Sequence, residues 1–148
     1  MTQTLLKLEE FLPYRLSVLS NQVSQGIART YADRFGLSVT EWRVIAILGR
    51  FPAIPARTVA ERSAMDKVAV SRGVRRLLDA GLIKRGSDDN DRRAKPLQLS
   101  DEGRAVYAAI VPAALAYERR LLAALRPDEQ VALEVLLAKL EAVSRRDE

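Results

Sequence analysis

Apolar residues recur along most of this chain at spacings of three and four, interrupted by two short stretches that read as strands. From residue 12 to 35, Leu12, Leu16, Leu19, Val23 and Ile27 form one such stripe and predict a single long helix. Pro13 suits its first turn, where a missing N–H costs nothing, and Gly36 is placed to close it as a left-handed cap. Ser38 and Glu41 have the spacing of a capping box. They open a second helix through Trp42, Ile45, Ile47 and Leu48, expected to stop at Gly49, with Pro52 and Pro55 in the loop beyond.

Pro55 starts a short third helix, ARTVAERS, with Val59 and Ala60 turned inward, and a tight break follows at Ser63-Ala64-Met65. Asp66 is a good N-cap for a fourth helix. On a helical wheel Val70, Val74, Leu77 and Leu78 fall on one side and Arg72, Arg75, Arg76 and Asp79 on the other. Gly81 ends it. Two strands are expected at 82–85 and 96–99, joined by the turn-prone stretch 86–94. Ser100 caps a helix expected to reach about residue 125, with Pro112 inside it. Pro127 opens a last helix whose apolar side carries Leu133, Leu136, Leu137, Leu140 and Val143. The pattern therefore predicts a mainly α fold of about six helices with a small β-hairpin. Helix, short turn, helix, hairpin is the order of a winged helix-turn-helix, here over roughly residues 55–100. No internal repeat or flexible linker divides the 148 residues, so one domain is expected.

Composition adds mainly exclusions. Hydrophobic residues make up 48% and charged residues 29%, a soluble balance. No apolar run approaches the roughly 18–20 residues needed to span a bilayer. Glu9 and Glu10 interrupt what would be the apolar core of a signal peptide, so a cytoplasmic location is expected, with no membrane partner. Cysteine and histidine are both absent. That removes disulfides, Cys/His zinc sites, thiol sensing and every triad with a histidine base. Neither a Walker loop nor a G-x-G-x-x-G motif is present. No enzyme, metal or cofactor is expected.

Charge changes the picture more. Between Lys67 and Lys95 stand nine basic residues against four acids, which accounts for the whole net charge of +5, since the remainder of the chain holds fifteen of each sign. Such a local excess points to a polyanion, and with this helix order to double-stranded DNA. The N-terminal half of the fourth helix can enter a major groove about 12 Å wide, where an arginine can chelate guanine O6 and N7. The candidate DNA-binding residues are Lys67, Ser71, Arg72, Arg75 and Arg76 on that helix, and Arg92, Arg93 and Lys95 on the hairpin. Arg92 and Arg93 would reach the narrow minor groove.

These residues resemble the MarR family of winged helix-turn-helix regulators over nearly the whole chain, from about Leu8 to Val143. The strongest segment runs from Val70-Ser71-Arg72 through Leu77 and Gly81-Leu82-Ile83 to Arg85. It continues with Asp91-Arg92-Arg93-Ala94 and with Leu97 to Gly103-Arg104. The resemblance implies an obligate homodimer assembled from residues 12–36 and 101–146, with 37–100 as the DNA-binding lobe on a pseudo-palindromic operator. It implies that Ser71 and Arg72 read or anchor at the major groove, that Arg93 is the wing-tip residue, and that Asp91 ties the wing down. It further implies release by a small anionic or phenolic effector bound between the dimerisation helices and the DNA-binding lobe. Arg126 stands where the family usually has a Ser or Thr helix cap, and the absence of cysteine excludes the family's thiol-oxidation sensing.

Each signal has a plainer reading. Arginines on one helix face are usually a solvated surface, and Lys84, Arg85 and Lys95 are equally strand-edge charge or phosphate contacts. Arg57 is a further phosphate candidate. Phe35, Trp42, Tyr14, Tyr31, Tyr107 and Tyr117 read as packing residues rather than a ligand box. The functional expectation is a sequence-specific transcriptional regulator, more plausibly a repressor. A non-specific architectural DNA-binding protein is the alternative, and a protein-interaction module reusing the fold a third.

Overall fold

The computed structural model describes residues 3–86 and 95–146. After a 3-10 turn at Leu8–Glu10 come helices α1 (Leu12–Ala28), α2 (Ala32–Phe35), α3 (Val39–Arg50), α4 (Ala56–Ser63) and α5 (Lys67–Asp79). Strands β1 (Ile83–Arg85) and β2 (Leu97–Leu99) follow, and then α6 (Asp101–Leu122) and α7 (Pro127–Arg146). The mainly α class with one antiparallel hairpin is as the pattern predicts. The chain forms two compact units, Met1–Ala113 and Ala114–Glu148, with the division inside α6.

In the first unit the single helix expected over 12–35 is two. The amides of Thr30 and Tyr31 bond three residues back, to Ile27 and Ala28, and the Thr30 hydroxyl also donates to the Ile27 carbonyl at 2.6 Å. This tighter turn shifts the helical phase and sends Tyr31 into the core, where it is fully buried. Gly36 then closes α2 with φ of 66°, as its position foretold.

α3 opens on Ser38, whose hydroxyl accepts from the Glu41 amide at 3.1 Å. It does not stop at Gly49 but runs on to Arg50. Gly49 is instead a packing glycine, since a Cβ there would strike the ring of Tyr107. α4 ends at Ser63 and is capped by Ala64, which takes φ of 55° and so supplies the tight break before α5. The core is built from Val44, Ile45 and Leu48 of α3, Val59 of α4, Val70, Val74 and Leu77 of α5, and Ile83, Leu97 and Leu99 of the hairpin.

The hairpin pairs Ile83 with Leu99 and Arg85 with Leu97. On its other edge Leu97 exchanges two backbone hydrogen bonds with Ile54, at 2.7 and 3.2 Å, which ties the hairpin to the loop before α4. Ser100 joins the hairpin's end to the next helix. Its hydroxyl accepts from the Gly103 amide at 3.0 Å and donates to the Gly81 carbonyl at 2.6 Å.

In the second unit α6 ends at Leu122, three residues short of expectation. Ala124 and Leu125 bond three residues back, and the Gln130 side-chain amide takes up the carbonyls of Leu122 and Leu125 at 2.9 and 3.2 Å. At the start of α7, Arg126 replaces a hydroxyl cap. Glu129 accepts from the Arg126 amide at 2.9 Å, and the Arg126 guanidinium holds Asp128 at 3.2 Å. No residue of α7 is buried, and Val131, Leu136, Leu140 and Val143 are exposed. Among the described residues no helix is long and apolar enough to cross a membrane.

Candidate nucleic-acid interface

The expected contact surface begins with the placement of α5. Asp66 caps it by accepting from the Ala69 amide at 3.1 Å, which fixes where the helix starts. Val70, Gly73, Val74 and Leu77 face inward. α3 crosses close by Gly73, where a Cβ would lie a tight 3.3 Å from the Thr40 methyl. With the buried face fixed by these four residues, Lys67, Ser71, Arg72, Arg75 and Arg76 all stand exposed.

They do not stand alike. Lys67, Arg72 and Arg75 have no carboxylate within 4 Å among the described residues, so their charge is available to a partner. Arg76 lies a quarter-turn round toward α3, with its guanidinium 4.0 Å from the carboxylate of Glu41. Glu41 is 7% exposed, the only buried acidic residue among the described residues. Arg76 therefore has a structural partner that the sequence did not disclose. The signal was available in part, since Glu41 completes only half of a capping box and its side chain needed another neighbour.

Beside the helix runs a groove of about 500 Å³ between α4, α5 and β1, with Arg57, Lys67, Arg75 and Arg85 around it and Val70 and Leu78 in its floor. Arg57 pairs with Glu61 at 3.5 Å across one exposed turn, which leaves it less free than the others. Lys95 is half-buried at the foot of β2, next to the pairing of Gly86 with Pro96. Asp91, Arg92 and Arg93 lie outside the described residues.

A second feature lies behind the helix-turn-helix. Arg43 of α3 donates to the Ser63 carbonyl at the end of α4 (3.2 Å) and to the Ser24 hydroxyl of α1 (3.3 Å). It lines a pocket of about 230 Å³ with Ile27, Tyr31 and Trp42. The pocket adjoins another of about 380 Å³ with which it shares Ser24, Val39 and Arg43. Tyr31 and Trp42 rings lie 5.6 Å apart, and Trp42 stacks on Tyr107 at 6.3 Å. The Tyr31 hydroxyl is buried with no hydrogen-bond partner among the described residues. Burial pushes its pKa up to about 12, against a smaller lowering by Arg43 and a further rise from Glu41. Tyr31 and Trp42 are thus packing residues, as expected, that also wall a pocket.

The sequence model of the MarR family matches residues 35–94. A MarR-family transcriptional regulator from Silicibacter pomeroyi is 30% identical, with 95% of this chain and 98% of that one covered and a TM-score of 0.78. The HTH-type transcriptional repressor Rv2887 of Mycobacterium tuberculosis is 27% identical over 131 residues, covering 88% of this chain and 91% of the repressor. BpsR of Bordetella bronchiseptica, whose DNA binding is regulated by 6-hydroxynicotinic acid, is 25% identical over 93% of this chain and 98% of its own, with a TM-score of 0.78.

Proposed function

The chain belongs to the MarR family, whose regulators bind DNA and are not enzymes, and on that premise we propose that it is a sequence-specific repressor acting as a homodimer on a pseudo-palindromic operator. The observation that carries this reading is the face of α5. Lys67, Ser71, Arg72 and Arg75 are exposed together, on a helix whose start and inward face are both fixed by packing. A free-standing solvated face has no need of that precision, whereas base readout does. In this reading Arg72 and Arg75 reach base edges, and Lys67, Arg76 and Lys95 neutralise phosphates. Arg92 and Arg93 enter the minor groove from a wing steadied by Asp91. Residues 12–36 and 101–146 are the dimerisation helices around the 37–100 lobe.

The test is a footprint over the DNA flanking the protein's own gene. One protected inverted repeat is expected, with half-sites about one helical turn apart. Arg72→Ala should cost about 1–3 kcal/mol and relax preference at one base pair. Arg93→Ala should weaken binding and reduce the salt dependence by about one unit of slope. Equal affinity for promoter and random duplexes would favour an architectural protein instead. No binding to any duplex at low salt would leave the interaction-module reading.

For release, the pocket beside Arg43 supports a small phenolic or aromatic carboxylate effector. Arg43 offers a guanidinium, Tyr31 an unpartnered hydroxyl, and Trp42 a ring face. Calorimetric titration with 6-hydroxynicotinic acid and with a hydroxybenzoate checks this. Binding by the wild type and its loss in Arg43→Gln are expected, and heatless titration with both probes would count against the assignment.

A further inference from the structure

Val68 is out of character with its surroundings. It lies in the first turn of α5, is 57% exposed, and stands at the crest of the helix, between the directions of Arg72 and Arg75 and opposite the buried Val70, Val74 and Leu77. Every other candidate contact on that face, Lys67, Ser71, Arg72 and Arg75, carries a hydrogen-bonding group, and Val68 carries only two methyls. Helix stability does not account for it, because a β-branched residue at an exposed helical position is disfavoured against alanine, lysine or glutamate. Core packing does not account for it either, because the side chain points away from the core.

We propose that Val68 is a base-reading residue that selects thymine through its C5 methyl group. The proposal rests on the reading of α5 as the recognition helix. In the major groove the thymine methyl is the one apolar group that a base pair presents. Val68 against that methyl buries apolar surface on both sides. Against the amino group of cytosine or adenine, or O6 of guanine, the same side chain strips water from a polar group and offers no partner, which is costly. Discrimination therefore comes from attraction to thymine and from rejection of the other bases. Ser71 and Arg72 follow three and four residues later, one turn along the same face. Arg72 would then read or anchor beside the thymine that Val68 selects.

The experiment uses the operator found by footprinting and replaces its thymines one at a time with deoxyuridine, which deletes the methyl and nothing else. Wild type should show one position per half-site where this weakens binding, by about fourfold for a single substitution. Val68→Ser should bind the thymine and deoxyuridine duplexes alike, at or below the wild-type affinity for the deoxyuridine duplex. Its thermal unfolding should match wild type, as the side chain is outside the core. A flat deoxyuridine scan with wild type would overturn the proposal, and so would an undiminished penalty in Val68→Ser. The unmodified operator separates the two levels of failure. If wild type does not bind it, the regulator reading falls and this inference with it. If it binds and the scan is flat, only the role of Val68 is lost.

Discussion

At Gly103 one absent methyl group decides how the hairpin meets α6, because a Cβ there would run into the Leu82 carbonyl, and backbone cannot yield as a flexible side chain can. Tyr31 shows the opposite economy, a large side chain buried with its hydroxyl unpartnered among the described residues. Such a group costs about 1–3 kcal/mol, so Tyr31→Phe should raise stability by about 1 kcal/mol in urea unfolding. If the hydroxyl serves ligand capture, the same variant should bind a hydroxybenzoate more weakly, a gain in stability at the expense of function. Its pKa, raised from 10 to about 12, sets a direction with pH. The folded state holds the proton more tightly than the unfolded chain does. The associated stability is complete below pH 10 and is lost as pH climbs through 12. Alkaline unfolding across that window should therefore be shallower in Tyr31→Phe than in wild type.

The elements were legible in proportion to how local their causes are. The Ser38, Asp66 and Ser100 caps, the left-handed Gly36 and Gly81, and the amphipathic face of α5 all follow from residues within a turn of one another, and the structure has each. The Asp66 cap is the one on which the proposed site depends. Asp66→Ala should cost about 1 kcal/mol of stability, and by fraying the first turn it should reduce operator affinity more than stability alone explains. Asp66→Asn, which keeps an acceptor, should restore most of both, as paired unfolding and binding curves would show. What local reading missed had distant causes. The break before Tyr31 serves the core, Gly49 makes room for Tyr107 some sixty residues on, and the pairing of Ile54 with Leu97 joins segments over forty apart. Gly73 was a missed hint, because a glycine in mid-helix is unfavourable unless something passes close by.

At the scale of the molecule, the proposed homodimer bears on the exposed apolar residues of the terminal helices. Leu12, Leu16 and Leu19 of α1 and Leu136, Leu140 and Val143 of α7 are exposed leucines and valines in rows at helical spacing, beyond what scattered surface residues would supply. A second copy of the chain would cover them. Sedimentation at micromolar concentration should give a species twice the 16.5 kDa chain, and Leu136→Glu with Leu140→Glu should shift it to the single chain with loss of operator binding. A wild-type monomer would contradict the homodimer. The sequence by itself determined the fold class, the order of the elements, the absence of thiol and imidazole chemistry, and the concentration of basic charge between Lys67 and Lys95. All of these rest on periodicity, caps and charge counted along the chain. Among the described residues, tertiary structure decided which of those basic residues stay unpaired. It set Arg76 against Glu41, left Arg72 and Arg75 open, and put Val68 at the crest of α5. The reason is physical: a helical wheel assigns directions, but only a packed neighbour such as α3 determines what lies in each of them.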